Sequence, residues 1–205
     1  MKKVNNKGFT LIELLAVIVI LAILIMVAMP AVTSLMEKAK VGAFVTEGES
    51  FAKAAQTAYT ASLIGGGNIG MTKSVNLQDT SITAKGTYTY FCMTVRELID
   101  KGYIEKANSS SYNGIVEAFI PASTNTSTAK YIVSMTNNDY AINGVSLTNM
   151  GGNVYSSNGL GGIYSGNNLT YSSCIDTKTA STNDNEKATK ITERAKAYST
   201  KSNFN

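Results

Sequence analysis

The chain opens on a polar stretch, MKKVNNKG, and turns apolar at Phe9; up to Pro30 only Thr10 and Glu13 interrupt the apolar run. Leu14 to Met29 has no polar residue at all. A helix there is apolar on every side, the pattern of a membrane span rather than of a core helix with one wet face. At 1.5 Å per residue, Phe9 to Met29 reaches roughly 31 Å, about one hydrocarbon thickness. Lys2, Lys3 and Lys7 hold its start on the cytoplasmic side. One residue violates the pattern: a carboxylate at Glu13, which costs on the order of 3 kcal/mol in hydrocarbon.

Beyond Pro30 the spacing changes. Phe44, Gly48, Phe51, Ala55, Ala58 and Ser62 recur every three or four residues, which is one helical face. Lys38, Lys40, Glu47, Glu49 and Lys53 mostly lie elsewhere around it, and Gly65 to Gly67 end the pattern. One helix from Phe9 to about Ile64 is therefore predicted, ~84 Å long. Its first half needs lipid or other copies of itself, and its second half needs a sheet. Thr94-Val95-Arg96-Glu97 spells a capping box that opens a short helix, closed by Gly102. Strands are predicted at Gly114–Ile120, Lys130–Met135 and Tyr140–Val145, the last two joined across Asn137-Asn138-Asp139 as a hairpin. The expected head is an antiparallel sheet of about four strands packed on the helix, an α+β arrangement. Val145 to Ser173 is uncharged and more than half Gly, Ser and Asn, punctuated by Tyr155, Tyr164 and Tyr171. It predicts a long surface loop, with a hydrogen-bonding recognition face as the alternative. Asp184 to Ser199 predicts a terminal amphipathic helix facing inward through Ile191, Ala195 and Tyr198.

Composition narrows the chemistry. The 205 residues suit one domain, with no histidine, no tryptophan and two cysteines. That excludes an imidazole base and leaves too few soft ligands for a structural zinc site. No nucleophile–base pair or ligand cluster is visible, so no catalytic residue, metal or cofactor is expected, and an enzyme is the least favoured class. The net charge is +4, but without Lys2, Lys3 and Lys7 the cations number 15 against 14 acids. The basic pI is then no argument for a nucleic-acid site.

Lys7-Gly8-Phe9-Thr10-Leu11-Ile12-Glu13-Leu14-Leu15 resembles the class III leader junction of type IV pilins and pseudopilins. An ordinary secretory signal has an apolar core of only about 7–15 residues and a small-residue cleavage site; here Ala28-Met29-Pro30 puts proline in that place. The resemblance implies that prepilin peptidase cuts between Gly8 and Phe9 and methylates the new amine of Phe9. It implies a leader at 1–8, a transmembrane and assembly helix at 9–30, a head-packed half at 31–64 and a globular head at 65–205. It further implies the type IV pilin fold and an assembly charge at Glu13, which pairs with the amine of a neighbouring subunit; an i, i+4 contact with the amine of Phe9 itself is the alternative. Pro30 matches a proline that the family carries in this helix and kinks or locally melts it, while Ala22 stands where many relatives have glycine.

A head outside the membrane lies in oxidising surroundings, where an even cysteine count favours a Cys92–Cys174 disulfide; the alternative is two buried free thiols. The expected function is the major structural subunit of a type IV pilus, a homo-oligomeric helical filament. The alternatives are a pseudopilin of a type II secretion or DNA-uptake system, or a minor tip adhesin. The expected partners are the cytoplasmic membrane, prepilin peptidase, the pilus assembly machinery and host or surface ligands. The expected location is the membrane by a single pass, then the extracellular pilus.

Overall fold

The computed structural model describes residues 10–65, 70–78, 85–105, 112–122, 128–137, 139–147, 150, 154–156, 169, 171–175 and 184–200. The chain divides into two compact units, Met1–Gly42 and Ala43–Asn205. In the first unit the described residues form helix alone, the opening part of α1, Leu11–Leu63. Its large apolar side chains from Leu11 to Met36 are 49–83% exposed, so none of the described residues covers them. The helix is long and apolar enough there to cross a membrane. The chain stays helical on both sides of Pro30. One turn on, the Thr33 hydroxyl donates back to the carbonyls of Met29 and Pro30, at 3.2 and 3.0 Å.

In the second unit the rest of α1 is amphipathic. Burial starts at Phe44 and continues through Gly48, Phe51, Ala52, Ala54, Ala55 and Ala58, which includes most of the face predicted from spacing. Small residues dominate this stripe because the helix lies close to the sheet. A Cβ at Gly48 would stand 3.0 Å from the Met150 sulfur and 3.2 Å from that of Met135. Phe44 and Phe51 both pack on the Tyr112 ring, and Phe44 also on Tyr140. Full burial of each such aromatic is worth about 1.5–3 kcal/mol.

Among the described residues the sheet has six strands in sequence order, each antiparallel to the next. They are β1 Met71–Leu77, β2 Gly86–Thr94, β3 Asn113–Pro121, β4 Lys130–Thr136, β5 Tyr140–Ser146 and β6 Val154–Ser156. The strands expected in the second half of the head lie where the pattern put them, but the count of about four is corrected to six. β2, GTYTYFCMT, carries its own strand signal in Thr, Tyr and Phe. β1, MTKSVNL, is an edge strand with Lys, Ser and Asn, and its pairing to β2 outweighs weak local propensity. Between β2 and β3, α2 (Val95–Asp100) is capped as its sequence predicts: the Glu97 N–H donates to Thr94 Oγ1 at 3.1 Å and the Thr94 N–H to Glu97 Oε2 at 2.9 Å. Gly102, at φ +76°, closes it, with Gly102 N–H to the Ile99 carbonyl and Tyr103 N–H to that of Leu98.

The terminal helix expected at Asp184 to Ser199 forms and packs through the residues its spacing pointed inward, so both faces of the sheet are covered. α3, Asp184–Thr200, buries Ile191, Ala195 and Tyr198 against Val75, Leu77, Tyr88, Tyr90, Ile115, Phe119 and Ile132 on the face opposite α1. Alternate residues of β2 and β3 therefore serve two cores: Tyr90 packs towards α3, while Phe91 meets Tyr59 of α1 with ring centroids 5.2 Å apart. A sheet covered on both faces needs no polar alternation, and β3 is buried from Gly114 to Phe119.

The fit of α3 depends on a bulge. The register between β4 and β5 shifts between Val133 and Met135, and Gly144 at φ +62° takes up the extra residue. Its N–H donates to Ser134 Oγ at 2.9 Å. A Cβ there would lie 2.5 Å from the Tyr198 ring. Gly144→Ala is expected to lower the unfolding free energy by about 1–3 kcal/mol through this clash and the left-handed backbone. Chemical denaturation of the detergent-solubilised chain measures it, and unchanged stability would contradict the close fit.

Candidate functional site

Two glutamates lie inside apolar segments, and each is satisfied in its own way. Glu13 stands in the first turn of α1. The Thr10 N–H donates to Glu13 Oε2 at 2.8 Å and the Thr10 hydroxyl donates to the same oxygen at 2.7 Å. The Glu13 N–H reaches back to Thr10 Oγ1 at 3.4 Å. This reciprocal pattern is a capping box, and it satisfies backbone donors that a helix start would otherwise leave bare in an apolar medium. The signal was present in the sequence: Thr10-Leu11-Ile12-Glu13 has the same spacing as Thr94-Val95-Arg96-Glu97. Thr10 is thus a site residue that the pilin-like pattern alone does not single out. Gly8 and Phe9 lie outside the described residues.

Around Glu13 the helix offers only hydrocarbon. Leu11, Ile12, Leu14, Leu15 and the residues after them face outward on all sides. Such a surface is stable only in lipid or against other apolar helices.

Glu117, in the middle of β3, is fully buried. Its Oε1 accepts from the Tyr90 hydroxyl at 2.5 Å and from Arg194 Nη1, and its Oε2 accepts from the Tyr198 hydroxyl. Arg194 gives Nη2 to the Ser173 carbonyl at 2.9 Å and stacks on the Tyr171 ring, 4.5 Å from its centroid. Cys92 and Cys174 are bonded, with Cα atoms 5.7 Å apart and a separation of 82 positions in sequence. The cluster therefore joins β2, β3, the segment 171–175 and α3. Its one sequence signal is a lone acid in GIVEAFI; its partner is 77 residues away, a distance that no spacing rule reaches. Among the described residues no group of three or more His, Cys, Asp or Glu could hold a metal ion.

Burial, then the neighbouring Glu117 charge, pushes the Tyr90 and Tyr198 hydroxyls well above the usual tyrosine range. Burial would lower Arg194, but Glu117 and the two tyrosines reverse that and raise it. A tyrosine raised on folding stabilises below its unfolded pKa, near 10, and loses that contribution as pH climbs towards the folded value. Stability is expected to fall above pH 10, by about 1.4 kcal/mol per pH unit for each of the two tyrosines. The variant Tyr90→Phe/Tyr198→Phe should lose that part of the slope in denaturation curves taken between about pH 9.5 and 11.5. Parallel slopes in the two proteins would show that the pair does not titrate this way.

Residues 3–29 match the family model described as the prokaryotic N-terminal methylation motif. No curated protein and no solved structure matches the chain. The motif implies processing by prepilin peptidase and assembly into a pilus, and it fits a membrane-anchored subunit that later leaves for the cell surface. The motif, the apolar helix that carries it and the antiparallel sheet behind it support a type IV pilin-like or pseudopilin-like subunit, with an α+β layout consistent with the type IV pilin fold.

Proposed function

We propose that this chain is the major structural subunit of a type IV pilus, a non-enzymatic protein that polymerises through the first part of α1 into a helical surface filament. The observation that carries this reading is the methylation motif on a helix whose apolar residues are exposed all round. Cleavage between Gly8 and Phe9 leaves the helix on the mature protein and creates a positively charged, methylated amine one residue before the Thr10 cap. Lipid covers the helix while the subunit waits in the membrane. On extraction about twenty apolar residues must be covered again, and packing against other copies in a central bundle does so. Identical copies added by a rotation that does not close give an open filament.

Hydrophobic burial is strong but sets register poorly. Glu13 sets it: a subunit docked one step out leaves a carboxylate and an amine unpaired in apolar surroundings, which costs several kcal/mol. The capping box supports this role, since Thr10 already holds the Glu13 carboxylate and orients it before any neighbour arrives. Pro30, with no N–H to donate, is the place where this helix can bend or open as the subunit moves from membrane to bundle.

Two variants separate the charge from the cap. Glu13→Ala removes both, whereas Glu13→Gln keeps a capping-box acceptor without the charge. Both should be processed and stay in the membrane, yet enter sheared surface filaments on the order of tenfold less, or lower still. Wild-type piliation by Glu13→Gln would refute the charge role. Mass spectrometry of the main sheared protein should find a start at methylated Phe9. Abundance then decides the subunit class: dominance in the filaments fits the major pilin, whereas a trace amount would point to a minor tip subunit or a pseudopilin.

A further inference from the structure

We propose that the Cys92–Cys174 bond is a redox latch for α3: it holds the segment 171–175 over Arg194, and only with that segment in place is the buried Glu117–Arg194 pair complete. The inference concerns the head alone and does not depend on the filament reading.

The contacts of this segment converge on the side chains around Glu117. Tyr171 lies on the Arg194 guanidinium and meets Tyr198 edge-on, with ring centroids 5.7 Å apart. The Ser173 carbonyl takes an Arg194 proton. Tyr90, Arg194 and Tyr198 are the three side chains that donate to Glu117. Residues 171–175 belong to neither helix nor strand, so no ladder of backbone hydrogen bonds keeps them there. Beside the packing of Ile175 and Tyr171, what ties them to the sheet is the covalent bond to Cys92, two residues along β2 from Tyr90 on the same face.

The chemistry of opening balances simply. A dithiol reductant gives two electrons and two protons, the Cys92–Cys174 bond breaks to two thiols, and the reductant closes to its own disulfide. The segment then loses its tether, the Arg194 guanidinium loses the Tyr171 ring and the Ser173 carbonyl, and water reaches an ion pair whose carboxylate is fully buried. A buried pair is worth keeping only while its geometry is complete and its remaining protons are satisfied. α3 is held to the sheet by that pair together with Ile191, Ala195 and Tyr198, so it is the element that loosens. β2, β3 and β4 keep their ladders and their α1 face.

Hydrogen exchange on the full-length chain in detergent micelles tests this, with and without dithiothreitol. The expected result is exchange on the order of tenfold faster across residues 184–200 after reduction, with β2–β4 little changed. Equal acceleration everywhere would make the disulfide a general cross-link, and no change in α3 would also overturn the latch. The variant Glu117→Leu/Arg194→Met replaces the pair with apolar groups, a change often tolerated by buried pairs. In it, α3 exchange should no longer respond to dithiothreitol. A response as large as in the wild type would separate the bond from the ion pair and refute the coupling. The wild-type comparison stands by itself if that variant does not fold.

Discussion

A carboxylate withdrawn from water must find donors, and the head is arranged around one that has. Glu117 sits in the interior strand β3 with no exposure, and its three donors come from two elements: Tyr90 on the adjacent strand, Arg194 and Tyr198 on the terminal helix. Removing any of them leaves charge buried without compensation, which is far more costly than never having placed it there. That asymmetry ties α3 to one position on the sheet. Apolar contact through Ile191 and Ala195 tolerates sliding, whereas three hydrogen bonds to one carboxylate do not. The bulge at Gly144 serves the same end, opening the space that the Tyr198 ring occupies.

The same physics recurs at Glu13 with a different outcome. There the donors come from the adjacent turn, Thr10 N–H and Oγ1, and both reach the same carboxylate oxygen. A local cap leaves the charge itself unneutralised, while the Glu117 cluster includes a guanidinium. The difference suits the two settings. Glu117 belongs to a finished core, whereas an acid on an open apolar helix retains the capacity to attract a cation from another chain.

The legible parts of the sequence are those whose physics is local. An apolar run of membrane length, the face Phe44–Gly48–Phe51–Ala55–Ala58, the Thr94–Glu97 box with Gly102 and the inward stripe Ile191–Ala195–Tyr198 each depend on neighbours within a turn or two. They appear in the structure where spacing placed them. The Thr10–Glu13 cap belongs with them, written in the same four-residue code but hidden by the more conspicuous pattern around it. β1 was harder, because an edge strand bearing Lys73, Ser74 and Asn76 draws its order from β2 rather than from its own residues.

By itself the sequence determined that the chain begins with an apolar helix, that this helix turns amphipathic further on, and that an antiparallel α+β head follows. These are consequences of residue order at periods of 2 and 3.6, which any chain with this pattern must obey. Only the tertiary structure decided that the sheet is covered on both faces, how the chain brings Cys174 to the Cys92 that the even cysteine count favoured as its partner, and that Glu117 meets Arg194. Those partners are 77 to 82 residues apart. Their meeting is set by how six strands stack and where α3 comes to rest, and no local periodicity encodes a contact between segments that only folding brings together.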